Sequence, residues 1–172
     1  MNFKTFYSLL ISLLFCLKTT SYAQEGVVLT TGYSIPELLH IGLNYQFDQD
    51  QIGINYGVLP GSNTFSISAQ YFYHYGGISK VSTKRKPWFF KFGFTHLQDE
   101  TKLSLTKYKY VNAQLGRECS FTKQFGIRLE LGLIYEVDKE KIEKEKSSGM
   151  GFGINFDFKL LPAPGIIVYY KL

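Results

Sequence analysis

His74 shares a predicted strand with two serines, and serine hydrolases combine these residue types. Ser66, Ser68 and His74 all fall on the polar face of that strand, and Glu130 or Glu136 of another strand is available to orient an imidazole. In an extended strand, however, Ser68 and His74 are separated by about 20 Å at roughly 3.3 Å per residue. They cannot act as a nucleophile and its base, and the sequence identifies no partner across strands. We therefore predict no catalytic residues.

Metal and phosphate ligands are equally sparse in the sequence. The histidines and the one cysteine outside the first 23 residues lack the close spacing of a zinc motif; they are His40, His74, His96 and Cys119. The segment GMGFG, with Gly151 and Gly153, lies in a strand pattern and precedes no helix, unlike a phosphate-binding loop. We predict no metal site and no cofactor.

The elements that must position these residues are β-strands. From Phe125 to Val137, apolar residues alternate with glycine and charged residues, which gives one apolar and one polar face. The same alternation recurs along the chain, and counting back from the C-terminus to Leu38 gives eight strands. The last two predicted strands cover residues 150–159 and the segment from Ile166 to Leu172, and a turn at Pro162–Gly165 joins them.

The strand count has an alternative. Residues 27–33 also have β character, either as an extension of the first strand across the bend at residues 34–37 or as an additional strand. Because single-chain bacterial barrels have an even number of strands, ten is the alternative to eight. The predicted fold is all-β, an antiparallel up-and-down transmembrane β-barrel of eight strands.

Residues 1–23 have the features of a cleaved secretory signal. Lys4 precedes an apolar run over residues 6–17, and small residues stand before Gln24. The sequence thus divides into a signal peptide (1–23) and a barrel domain (24–172). Without Lys4 and Lys18, the 19 basic residues fall to 17 against 14 acidic ones, a net charge of +3, which does not argue for nucleic acid binding.

Volume predicts which face of the barrel points inward. An eight-stranded barrel encloses little more than its own side chains, so the glycine-rich polar face must face the lumen. The bulky face then points outward, where lipid stabilises an apolar surface. We predict a closed lumen whose polar network contains Lys91, Glu118, Arg128, Glu130, Asp157 and Lys159. Aromatic residues near strand ends are predicted at the level of the lipid headgroups; they are Tyr45, Phe47, Tyr73, Tyr75, Trp88, Tyr135, Tyr169 and Tyr170.

Two charge clusters fall in predicted loops. The first is predicted to contact anionic lipid or lipopolysaccharide phosphates if its loop lies at a membrane surface, with a plain hydrated loop as the alternative; it contains Lys80, Lys84, Arg85 and Lys86. The second, over residues 136–146, has mixed signs and is predicted to be a solvated loop or a helical turn. With a C-terminal strand that descends to the periplasm, the first loop would lie outside the cell and the second in the periplasm.

The chain resembles the small outer-membrane β-barrel proteins of Gram-negative bacteria over residues 24–172. The resemblance rests on the signal ending SYAQ, the alternating strands and the closing GIIVYYKL. It implies an outer-membrane location, contact with outer-membrane lipids and lipopolysaccharide, insertion by the barrel-assembly machinery and a monomeric state. We expect a non-enzymatic structural or surface-interaction role. The alternatives are a small passive channel or ligand transporter, a lipid-modifying enzyme, and a soluble secreted barrel that binds apolar ligands.

Overall fold

Eight antiparallel strands form a closed barrel in which each strand pairs with its neighbours in sequence and β1 pairs with β8. The structure is a computed structural model that describes residues 26–78, 85–101, 104–143 and 159–172. The predicted fold class and strand number are confirmed. The strands are β1 (Gly26–Ser34), β2 (Leu38–Phe47), β3 (Asp50–Leu59), β4 (Asn63–Gly76), β5 (Trp88–Glu100), β6 (Ser104–Ser120), β7 (Phe125–Glu143) and β8 (Leu160–Lys171).

The C-terminal strand differs from the prediction. The Pro162–Gly165 segment, predicted as a turn, lies inside β8, where Pro162 pairs with Leu133 and Pro164 with Leu131. Because β8 pairs with β1 only from Gly165 onward, both prolines lie where one edge of the strand has no ladder partner, a position that tolerates proline. Residues 27–33 instead supply the strand that completes eight, as part of β1. Most of the strand predicted over residues 150–159 lies outside the described residues.

Strand β7 continues past Tyr135, where its ladder with β8 ends, and it remains paired with β6. Residues 136–143, predicted as a loop or helical turn, continue β7 and pair with Ser104–Tyr110 of β6, with a bulge opposite Lys109 and Tyr110. Opposite charges face each other across this ladder. Lys109, for example, donates a hydrogen bond of 2.8 Å to Asp138. That bond holds the pKa of the Asp138 carboxyl below its usual range. We refer to residues 104–110 and 136–143 as the β6–β7 extension.

Polar side chains fill the interior and apolar side chains cover the exterior. Ile41, Ile54 and Leu131 are 62–66% exposed on the outward face. Asn44, Lys91 and Gln114, on the opposite face, are 1% exposed. This is the arrangement that the volume of the bulky face predicted. Among the described residues, no helix has the length and apolar character needed to cross a membrane.

The two ends of the barrel differ in which connections they carry. The start of β1, the end of β8 and the connections after β2, β4 and β6 lie at one end, which we call the terminal end. The connections after β1, β3, β5 and β7, and the β6–β7 extension, lie at the opposite end. Relative to the C-terminus of the chain, residues 85–86 and 136–143 lie at the ends opposite to those predicted for their segments, because the predicted turn at Pro162–Gly165 lies inside β8.

Candidate functional site

Six buried charged side chains occupy the lumen, and they are the chemically distinctive feature of the interior. Among the described residues these are Glu37, Arg85, Lys91, Glu118, Arg128 and Glu130, each at most 6% exposed. Three cations therefore face three carboxylates. Buried charges are costly unless paired, and the lumen pairs them in two separate clusters.

The first cluster centres on Lys91 of β5. Its ammonium contacts Glu130 Oε2 at 2.6 Å and Glu37 Oε1 at 3.2 Å. Gln70 donates a hydrogen bond of 2.6 Å to the same oxygen of Glu37, and Ser34 donates one of 2.9 Å to the other. The Lys91 cluster thus satisfies a cation and two carboxylates with strands β1, β4, β5 and β7 and the turn after β1.

Glu37 enters the lumen because the turn between β1 and β2 folds inward. Pro36 and Glu37 are buried, and Leu38 adopts a left-handed backbone conformation (φ 66°) where β2 begins. The Glu37 carbonyl accepts a hydrogen bond of 2.7 Å from Ser66. A Cβ atom at Gly57 would collide with this carbonyl, so glycine at position 57 leaves the space that the turn occupies.

The second cluster centres on Arg128 of β7, closer to the terminal end. Its guanidinium donates to Glu118 Oε1 at 2.8 Å and to Gln51 Oε1 at 3.1 Å. The same guanidinium lies over the rings of Phe72 and Phe89, at 4.5 and 5.2 Å from their centroids. Aromatic faces attract a cation, so the Arg128 cluster combines an ion pair with two ring contacts.

Arg85 reaches the Arg128 cluster from the connection between β4 and β5. It forms a short ion pair with Glu118, and its side chain is almost fully buried. Arg85 therefore does not contact anionic lipid as predicted, because Glu118 holds it inside the barrel. Lys86 is exposed, whereas Lys80 and Lys84 lie outside the described residues.

The structure places four of the six predicted lumen residues in these clusters: Lys91, Glu118, Arg128 and Glu130. The prediction for Lys159 is wrong, since this residue is exposed immediately before β8 begins. Asp157 lies outside the described residues. Tyr169, predicted at the headgroup level, also points inward and is 1% exposed.

Sequence reasoning missed Glu37 and Arg85, which complete the two clusters from opposite ends of the barrel. Both residues lie in connections, where alternation does not assign a face. Charge balance gave no signal either, because the predicted network already held three cations and three carboxylates.

Glycines and amides fill the rest of the lumen. Gly42 lies against the side chain of Asn55, Gly53 against Asn44 and Gly93 against Asn112. The cavity between the two clusters has a volume of about 10 Å³, which is room for roughly one water molecule. This cavity is too small to hold a hydrated ion.

His40 and His74 are buried and contact backbone carbonyls and neighbouring polar side chains. His74 Nδ1 lies 3.0 Å from the carbonyl of Lys86, and Ser66 donates to Glu37 rather than to a histidine. Ser34, Glu37 and His40 lie close together, but the Ser34 hydroxyl donates to Glu37 and all three residues are buried. Within the described ranges, no three histidine, cysteine or acidic side chains group as metal ligands.

Comparisons of this chain with protein families, with curated proteins and with solved structures find no significant match.

Proposed function

We propose that this protein is an integral outer-membrane β-barrel with a closed lumen and a structural or surface-interaction role, similar to the small outer-membrane barrels of Gram-negative bacteria. One observation carries the proposal: the outward face of the barrel is apolar over most of its strands. Soluble monomers rarely expose apolar patches larger than a few hundred Å². Hydrocarbon stabilises such a surface, and closed barrels leave no unpaired strand edge within it.

The apolar belt spans the whole circumference, and on β1 and β6 it also contains smaller residues such as Thr31 and Ala113. It includes Leu43 of β2, Ile54 of β3, Ile67 of β4, Phe92 of β5, Leu131 of β7 and Ile166 of β8, all at least 48% exposed. At the terminal end, the belt meets outward-facing aromatic residues, which prefer the headgroup level of a bilayer. This aromatic girdle consists of Tyr45, Phe47, Tyr73, Tyr75, Trp88, Phe125 and Tyr170.

The terminal end faces the periplasm in this proposal. Outer-membrane barrels have short periplasmic turns and longer extracellular elements. The turn after β2 contains only residues 48–49 at the terminal end, whereas the charged β6–β7 extension projects from the opposite end. The extension, with its exposed Lys109–Asp138 and Lys107–Glu140 pairs, would be the part of the protein presented at the cell surface.

The filled lumen favours a structural role over transport. The Lys91 and Arg128 clusters occupy the interior, and the space between them admits roughly one water molecule. A channel would need a polar path wide enough for hydrated ions. An enzyme would need a reactive group open to substrate, and the serines and histidines of the lumen are buried.

Fractionation and gel migration test the membrane assignment. We expect the exported protein in the outer-membrane fraction, extractable with detergent and resistant to carbonate, with faster migration when it is not boiled. Recovery of the folded chain in the soluble periplasmic fraction without detergent would overturn the proposal.

Planar bilayer recordings test the closed lumen. We expect no unitary conductance from the purified protein, with a sixteen-stranded porin as the positive control. Regular conductance steps from the purified protein would favour the channel alternative.

A further inference from the structure

Arg117 of β6 interrupts the apolar exterior near the aromatic girdle. Its side chain is exposed on the outward face, directly opposite Trp88 of β5. The Arg117 guanidinium lies 5.5 Å from the centroid of the Trp88 ring. A charged side chain on a lipid-facing wall is costly unless it reaches the polar interface or a partner. Arg117 therefore needs the interface or an anionic partner at this position.

Lys86 lies on the same side of the sheet as Arg117. Exposure alternates along the segment that leads into β5, with Arg85 and Pro87 buried and Lys86 and Trp88 exposed. The backbone pairing continues past Trp88, because the Glu118 amide donates a hydrogen bond of 2.8 Å to the Pro87 carbonyl. This pairing places Lys86 diagonally across from Arg117, on the same face as Trp88. We call Lys86, Trp88 and Arg117 the Arg117 cluster.

The Arg117 cluster carries two positive charges that no carboxylate of the described residues neutralises. Neither Arg117 nor Lys86 takes part in an ion pair among the described residues. The adjacent carboxylate, Glu118, points into the lumen and is bound by Arg85 and Arg128. The cations outside and the cations inside are therefore separated by the barrel wall, and the outer pair remains available to an anion from the surroundings.

We propose that the Arg117 cluster binds the phosphodiester headgroup of an anionic phospholipid at the terminal end of the barrel. Arginine and lysine both bind phosphate oxygens. The indole ring orients the guanidinium at the headgroup level, while the apolar belt next to it, with Phe90 and Leu115, accommodates the acyl chains. The inference rests on the proposed function, because only a membrane-embedded wall brings a lipid to this position.

The first test is native mass spectrometry of the purified protein from micelles that contain phosphatidylglycerol or, for comparison, phosphatidylcholine. We expect the wild type to retain phosphatidylglycerol preferentially. Lys86→Gln and Arg117→Gln should each lower the affinity about fivefold, in line with the usual contribution of one cation near a lipid surface. Lys123→Gln is the matched control, since Lys123 is an exposed cation of the turn between β6 and β7, at the same end.

The outcomes separate the site from the proposed function. The variant that combines Lys86→Gln with Arg117→Gln could insert into membranes normally and still retain phosphatidylglycerol as the wild type does. In that case the proposed site is wrong and the membrane assignment stands. If Lys123→Gln causes an equal loss, the binding is unspecific and the site is again wrong. If inorganic phosphate at the same concentration displaces the lipid, the cluster binds a free phosphate ion and the proposed phospholipid ligand is wrong. A wild type that does not insert at all would overturn both proposals.

Discussion

Glu118 holds two buried cations, Arg85 and Arg128, with one carboxylate. Its environment shows how a narrow barrel tolerates charge, because each of the six buried ions described above is paired and the rings of Phe72 and Phe89 also contact Arg128. Such a pairing is not evidence of high stability by itself. Loss of one partner, however, leaves an uncompensated buried charge, and that loss is strongly destabilising.

Glu118→Gln should lower the free energy of unfolding by about 3–5 kcal/mol, because it leaves Arg85 and Arg128 without a counter-charge. The measurement is urea unfolding of the protein folded into lipid vesicles. Asp138→Asn is the control, since it removes a carboxylate from the exposed pair with Lys109 and should change the stability little. Equal effects of the two substitutions would contradict the lumen assignment.

Gly57 provides the second test at the residue scale. Gly57→Ala should destabilise the barrel by about 1–3 kcal/mol through overpacking, because a Cβ atom would displace the Glu37 carbonyl and with it the inward turn. Gly26→Ala is the control, since a Cβ atom there meets only the Leu172 carbonyl, at 3.7 Å. A neutral Gly57→Ala variant would show that the turn does not pack against β3 as described.

The sequence predicted the lumen residues that lie within strands and missed those that lie in connections. Lys91, Glu118, Arg128 and Glu130 alternate with apolar residues, and alternation assigns them to one face. Glu37 and Arg85 follow no such period. A connection can fold into the lumen only where residues far away in the sequence leave room for it, as Gly57 does for Glu37. The sequence pattern around the connection does not contain this information.

At the scale of single elements, β7 has two parts with different surroundings. Its first part contributes Leu129, Leu131 and Leu133 to the apolar belt, while its last residues belong to the charged β6–β7 extension. The sequence predicted the first part from its strict alternation. The second part was assigned to a loop because dense charge is typical of solvated segments, whereas cross-strand ion pairs are equally compatible with a ladder.

Two arginine substitutions in β7 should separate these parts. Leu131→Arg should lower the free energy of unfolding in vesicles by about 2–4 kcal/mol, the usual cost of arginine near the bilayer midplane. Ile142→Arg should cost little, since Ile142 lies in the extension and is 42% exposed. Both side chains are exposed at the protein surface. Equal and small losses in the free energy of unfolding would therefore indicate that water, not hydrocarbon, surrounds the apolar belt.

At the scale of the whole molecule, barrel closure and lumen packing follow from the same property of the sequence. Eight strands with glycine on one face leave room for amides, ion pairs and a few buried rings such as Phe72 and Phe89, and most bulky residues must then face outward. The strand number was predicted correctly, but the set of strands was not, because residues 27–33 belong to β1 and the predicted turn at Pro162–Gly165 lies inside β8. The number of strands therefore stays even, but the segments that lie at the same end of the barrel differ from those predicted.

The most direct test of the outward apolar belt is the collisional accessibility of spin labels. In a Cys119→Ser background, nitroxides at Ile41→Cys and Ile142→Cys would be measured in lipid vesicles with oxygen and with a water-soluble nickel chelate. Oxygen should relax the label at position 41 more strongly, and the chelate the label at position 142. Strong relaxation of both labels by the chelate would contradict the account.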